Sequence, residues 1–170
     1  MMVRKPETAG GEGRRARPSW RRRAVCRLPV LVLAAALSGC VLPYWPVHGP
    51  VTSPFGLRLR GLRPEVHRGV DVFVRSGTPV HAMAPGRVEF AGVMRGFGRV
   101  VILDHGAGLR SLYAHLSEVQ VQTGDEVHGH AVIGLSGSSG DATGPHLHFE
   151  VWRYGQPVDP VPLLGGFPDL

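Results

Sequence analysis

Cysteine is nearly absent from this 170-residue chain: there are two, Cys26 and Cys40, both close to the N-terminus. The rest of the chain therefore has no disulfide framework. Any metal centre there must use imidazole and carboxylate rather than thiolate, which favours a catalytic site over a Cys-rich structural one. Long apolar runs are missing as well. The run at residues 28–37 has ten residues, whereas a membrane-spanning helix needs about 20. No helical period of useful length is visible, and the helical zinc motif HExxH does not occur. Basic charge is absent where nucleic acid would need it. The formal charge is +6, but residues 1–39 hold nine Lys/Arg and two Asp/Glu, a balance of +7. Residues 40–170 hold ten Arg and eleven Asp/Glu, a balance of −1. No basic stripe remains to neutralise phosphates, so nucleic acid is not an expected partner.

What is present begins with a leader. Arg21, Arg22, Arg23 and Arg27 precede the apolar run, a signal-peptide arrangement. Leu37-Ser38-Gly39-Cys40 then looks like a bacterial lipobox, in which cleavage before Cys40 leaves a lipid-modified N-terminus. Several acyl chains on one residue would anchor the protein stably. Ser19-Trp20-Arg21-Arg22-Arg23 also faintly resembles a twin-arginine signal. The expected organisation is a signal peptide at 1–39, lipidated Cys40 with a short Pro-rich tether to residue 50, one domain over 51–164 and a tail at 165–170. The ten residues 41–50 would reach at most about 35 Å, which keeps the domain close to its membrane. Nothing in the pattern specifies an oligomer.

Across 51–164, short apolar or alternating runs such as GRVEFAGV, GRVVILDH and HLHFEVW are separated by many of the 24 Gly and 15 Pro. This spacing predicts an all-β, compact antiparallel two-sheet fold with few or no helices. Two histidine motifs stand out. One is His67-Arg68-Gly69-Val70-Asp71, the other His146-Leu147-His148; His115 lies between them in sequence. Leu147, Phe149 and Val151 alternate with His146, His148 and Glu150, so a strand would project His146 and His148 from one face. Val70, Val72 and Val74 alternate with Gly69, Asp71 and Phe73, which predicts a strand through the first motif with His67 and Asp71, four apart, on one face. Two imidazoles and a carboxylate are zinc-binding groups, with a spare histidine beside them. The set points to a catalytic metal centre and a hydrolase.

Other polar residues read as ordinary. Asp104-His105 is a loop polar pair, Tyr113 packs or orients a ligand, and His48, His81, His128 and His130 are solvated or strand histidines. Gly137, Ser138 and Gly140 form a turn, since no lysine follows to make a phosphate loop. The arginine-rich stretch 57–67 reads as a solvated loop at the groove.

At these motifs the chain resembles the LytM/lysostaphin-type zinc endopeptidases, metallopeptidase family 23, which cut peptidoglycan cross-bridges. VTSPFGLR at 51–58, HRGVD at 67–71, GTPVHAMAPGRV at 77–88, YAHL at 113–116, GDEV at 124–127, IGLSGSSG at 133–140 and TGPHLHFEV at 143–151 carry the resemblance. It implies a fold of the duplicated hybrid motif type with an open groove over zinc. It implies His67, Asp71 and His148 as zinc ligands, and His115 and His146 as the two catalytic histidines that do not bind the metal. Either could be the base; sharing a strand face with His148 favours His146. Arg99 stands where the family commonly has Asn. The implied function is hydrolysis of peptidoglycan cross-links. The alternatives are a membrane-anchored wall-binding module that activates another hydrolase, and a peptidase acting on Gly-rich proteins.

Overall fold

A computed structural model describes residues 43–60 and 62–168. The leader, the lipobox and Cys40 lie outside the described residues. The strands are β1 (Val51–Ser53), β2 (Gly56–Arg60), β3 (Arg63–His67), β4 (Val70–Val72), β5 (Pro79–His81), β6 (Gly86–Met94) and β7 (Gly98–Asp104). They continue with β8 (Leu109–Leu116), β9 (Glu118–Val119), β10 (Glu126–Val127), β11 (Val132–Leu135), β12 (Leu147–Arg153) and β13 (Gln156–Val158). One helical turn, α1 (Pro160–Leu163), follows, its first turn capped by the Asp159 carboxylate. The chain is nearly all β.

Eight strands form one antiparallel sheet in the order β1-β4-β12-β8-β7-β6-β10, with β13 paired to β12. A smaller sheet runs β5-β11-β9, and β2 with β3 makes a two-stranded ribbon. Alternation decides the faces. Leu147, Phe149 and Val151 of β12 are fully buried against Val72, Val101, Leu103 and Tyr113 of the same large sheet. Val80 and Ile133 of the small sheet complete this core. Each such side chain contributes roughly 1.5–3 kcal/mol by leaving water. The intervening residues His148, Glu150 and Trp152 face the other side, onto a small second apolar cluster that includes Leu112, Ala114, Phe97 and Ile102. That second face carries the site.

A buried polar chain ties the core to a turn. The Met83 N–H donates to Tyr113 Oη at 2.9 Å, Tyr113 and Ser111 hydroxyls lie 2.9 Å apart, and Ser111 Oγ lies 2.7 Å from His105 Nε2. His105 Nδ1–H donates to the Pro85 carbonyl at 2.8 Å. Asp104 caps Gly106 N–H and does not touch the imidazole through its side chain.

Two expectations need correction. Residues 43–50 are docked rather than free as a tether: Val47 is buried, Tyr44 N–H donates to the Met83 carbonyl, and the Trp45 indole donates to the Gly166 carbonyl. That last bond also pins the start of the expected tail. Apolar Trp45 and Val47 gain more from the core than from water. The stretch 57–67 is the β2–β3 ribbon, not an irregular loop. Cross-strand Leu57–Val66 and Leu59–Pro64 pairs lie on one side and the Arg58–Glu65 pair on the other.

Candidate metal centre

His67, Asp71 and His148 come from three different strands. His67 ends β3, and Asp71 is the middle residue of β4. One continuous strand through both does not form, because Arg68 and Gly69 turn between them. Gly69 allows that turn to lie against β12, where a Cβ would stand 2.2 Å from the Phe149 carbonyl oxygen. His148 sits directly opposite Asp71 in the β4–β12 register. His67 Nε2 lies 3.2 Å from Asp71 Oδ1, His148 Nδ1 2.8 Å from the same oxygen, and the two nitrogens 3.1 Å apart.

The outer atoms of each group are already committed. His67 Nδ1–H donates to the Pro54 carbonyl at 2.8 Å. His148 Nε2–H donates to Glu150 Oε1 at 2.9 Å, and Glu150 Oε2 accepts the Trp152 indole N–H at 2.6 Å. Asp71 Oδ2 accepts from Arg58 Nη1 at 3.0 Å. Three electron-pair donors then converge with no hydrogen among them unless a proton binds. That donor set, at these separations, is what a tetrahedral divalent ion at about 2.0–2.1 Å from each ligand requires. The residues fit a metal.

Electrostatics agree. Burial alone would raise the Asp71 pKa, but hydrogen bonds from His148 and His67 outweigh it and hold the carboxyl well below its usual range. Burial works against a proton on His148, yet hydrogen bonds to Asp71 and Glu150 prevail and raise it to about 9.

His115 and His146 flank this centre. His146 precedes β12 in a single bridge to Gly137, its Nδ1–H donates to the Gly144 carbonyl at 2.8 Å, and its Nε2 lies 3.8 Å from Asp71 Oδ1. On a regular strand His115 would share the core-facing side of Tyr113. Instead its φ is +62°, and the β7–β8 register shifts between Arg99 and Val101. This bulge turns His115 into the groove, 4.7 Å from the His146 ring. Its Nδ1–H donates to the Ser139 carbonyl at 2.8 Å. Burial, aided by the neighbouring His146 and His148, lowers its pKa and keeps it neutral. Ser139 is held by close contact between two loops: Gly98 (φ +69°) and Gly140 (φ +72°) approach so nearly that a Cβ on either would stand under 3.0 Å from the other's loop.

All five residues singled out from the sequence therefore meet at one place. They line an open groove of about 460 Å³, except His67, which is buried beneath it. Arg58 and Glu150 were not singled out. Glu150 could have been found from its place two residues after His148 on the same strand face. Arg58 had no such signal, because its role depends on the ribbon folding over Asp71. His81 and His130 lie near each other beside Tyr44, outside the groove lining. Tyr113 points into the core.

Three convergent donor groups with two further imidazoles in an open groove make an arrangement that suits a metal-dependent hydrolase. Residues 65–160 match the profile of Peptidase family M23, and the chain belongs to that family. It is 42% identical over 126 residues to the DD-carboxypeptidase/endopeptidase Mpg of Neisseria meningitidis, covering 73% of this chain and 29% of that protein. It is also 42% identical over 123 residues to the murein hydrolase activator EnvC of Escherichia coli, covering 72% and 29%. The chain thus matches under a third of the length of either relative. A zinc-containing peptidase from Vibrio cholerae has a similar structure, with a TM-score of 0.65 and 30% identity over 74% of this chain and 39% of that one.

Proposed function

We propose that this chain is a zinc-dependent endopeptidase that hydrolyses peptide cross-links of bacterial peptidoglycan. The observation that carries the reading is the convergence of donor atoms from His67, Asp71 and His148 with two further histidines beside them. When bound, zinc would polarise the scissile carbonyl and bring a water to a pKa near about 7. The protein's own groups do the rest. Glu150, Pro54 and Arg58 hold the ligand atoms pointing inward. His115 and His146 each spend Nδ1–H on a backbone carbonyl, which leaves Nε2 free to take a proton from the attacking water or pass one to the leaving amine. Proximity to Asp71 favours His146 as the base.

The relatives support a peptidoglycan substrate, since one is an endopeptidase and another acts in murein hydrolysis by name. The leader supports export and lipid anchoring at Cys40, on a membrane facing the wall. Similarity to an activator motivates a second reading, in which the groove recruits another hydrolase. The two separate on purified peptidoglycan with no other enzyme present. Release of cross-link cleavage products that stops with a chelator and returns with zinc supports the peptidase. Zinc binding with no release, but stimulation of an added amidase, would replace it with the activator.

A further inference from the structure

A second cavity, of about 340 Å³, opens on the same sheet face and shares Phe97 with the metal groove. Its position follows from strand register. Ile102 of β7 opposes Leu112 of β8, which opposes Glu150 of β12, so these three form one cross-strand row. Glu150 is two residues along β12 from His148. At about 3.3–3.4 Å per residue, this row lies roughly 7 Å from the His148 row, and the Arg110–Trp152 row roughly 13 Å from it.

The lining has a definite chemistry. Ile102 and Leu112 form the floor, with Met94 and Phe97 on one side and Trp152 on the other. Three of the charges there are already satisfied. Arg110 pairs with Glu89 at 3.0 Å, and both Glu150 oxygens hold hydrogen bonds. Arg68, at the rim, differs. It is exposed, its guanidinium lies 6.0 Å from the centre of the Trp152 ring, and it enters no ion pair among the described residues. The cavity is near the small end of ligand pockets, about 300–1,000 Å³, so it suits one or two side chains rather than a separate large ligand.

We propose that this pocket is a subsite of the metal groove, seating an aliphatic side chain that ends in a carboxylate. The substrate peptide would carry that side chain two to four residues from the bond cut. An extended peptide advances at the same rise as the strands beneath it, so such a residue falls over these two rows. The apolar stem replaces water on Leu112, Ile102 and Trp152, and the carboxylate meets Arg68. The assignment rests on the peptidase reading for the position of the cut bond, but the pocket's preference can be measured without cleavage.

The test uses the zinc-loaded protein and synthetic peptides differing at one such position: alanine, leucine, glutamate or lysine. Affinity is read from tryptophan fluorescence at low temperature, and kcat/KM from product release. The expected order is glutamate above leucine above alanine, with lysine weakest. One charge-assisted contact at a partly exposed rim supports a preference of about threefold to tenfold for glutamate over leucine. Arg68→Glu should invert the glutamate–lysine order, and the buried floor leaves that variant folded. Equal affinity for all four peptides, or a glutamate preference that persists in Arg68→Glu, overturns the subsite even where cleavage proceeds. Ordered, Arg68-dependent binding without cleavage keeps the subsite and removes the peptidase.

Discussion

At the scale of single residues, the site is an arrangement of acceptors whose outer hydrogen atoms are spent. Zinc bound through His148 Nδ1 would displace any proton that His148 carries between the three donor groups. With a pKa raised to about 9, zinc binding at pH 7.5 should release close to one proton. Calorimetry in buffers of different ionisation enthalpy measures it; zero release would show that His148 carries no proton for zinc to displace. Glu150→Gln keeps the shape but removes the charge facing His148 Nε2, and metal affinity should fall by about 10–100-fold. Asp71→Asn removes a ligand and should fall further, with zinc stoichiometry below one after dialysis. Arg58 is held by Glu65 at 2.6 Å and Ser53 at 2.7 Å while it grips Asp71. Its donors are largely engaged within the protein, so Arg58→Ala should weaken zinc binding more than it weakens peptide affinity.

At the scale of elements, the β12 alternation was legible, because period-2 burial needs only apolar and polar residues in turn. The predicted strand around Asp71 was partly so: β4 is real, but His67 belongs to another strand beyond a glycine turn. The bulge at His115 was not legible. Alternation places residue 115 with Tyr113 on the core side, and only the register shift opposite Arg99 reverses it. The Tyr113 chain is a second feature that depends on tertiary contact. Tyr113→Phe should leave the Met83 N–H without a partner and Ser111 with His105 alone, and cost about 1–3 kcal/mol, read by denaturant unfolding. Catalysis should persist, since the hydroxyl faces away from the groove. His105 ends that chain, and burial holds its pKa below the ordinary value. An unfolded histidine takes up a proton below about pH 6.5 while the folded one resists, so stability falls as pH drops below that point. His105→Asn should flatten this decline; an unchanged slope would assign it to other groups.

At the scale of the whole molecule, one core joins both sheets and the residues before β1. The sequence pattern of short runs and turns was enough to place the chain among two-sheet β folds. It was not enough to show that residues 43–50 dock, because a Pro-rich segment without periodicity looks the same free or bound. That docking shortens the proposed link to the membrane: only residues 41–43 separate Cys40 from Tyr44, whose N–H holds the Met83 carbonyl. A lipid anchor at Cys40 would therefore keep the groove within a short reach of its membrane. The most direct measurement is a digest of purified peptidoglycan by the zinc-loaded protein and by His146→Ala, with zinc quantified in both and fragments identified by mass. The account predicts one zinc per chain in each and cleaved cross-links from the wild type, falling by about 10²–10⁴-fold in the variant. Equal cleavage by the zinc-loaded variant, or none by a wild type carrying full zinc, would contradict it.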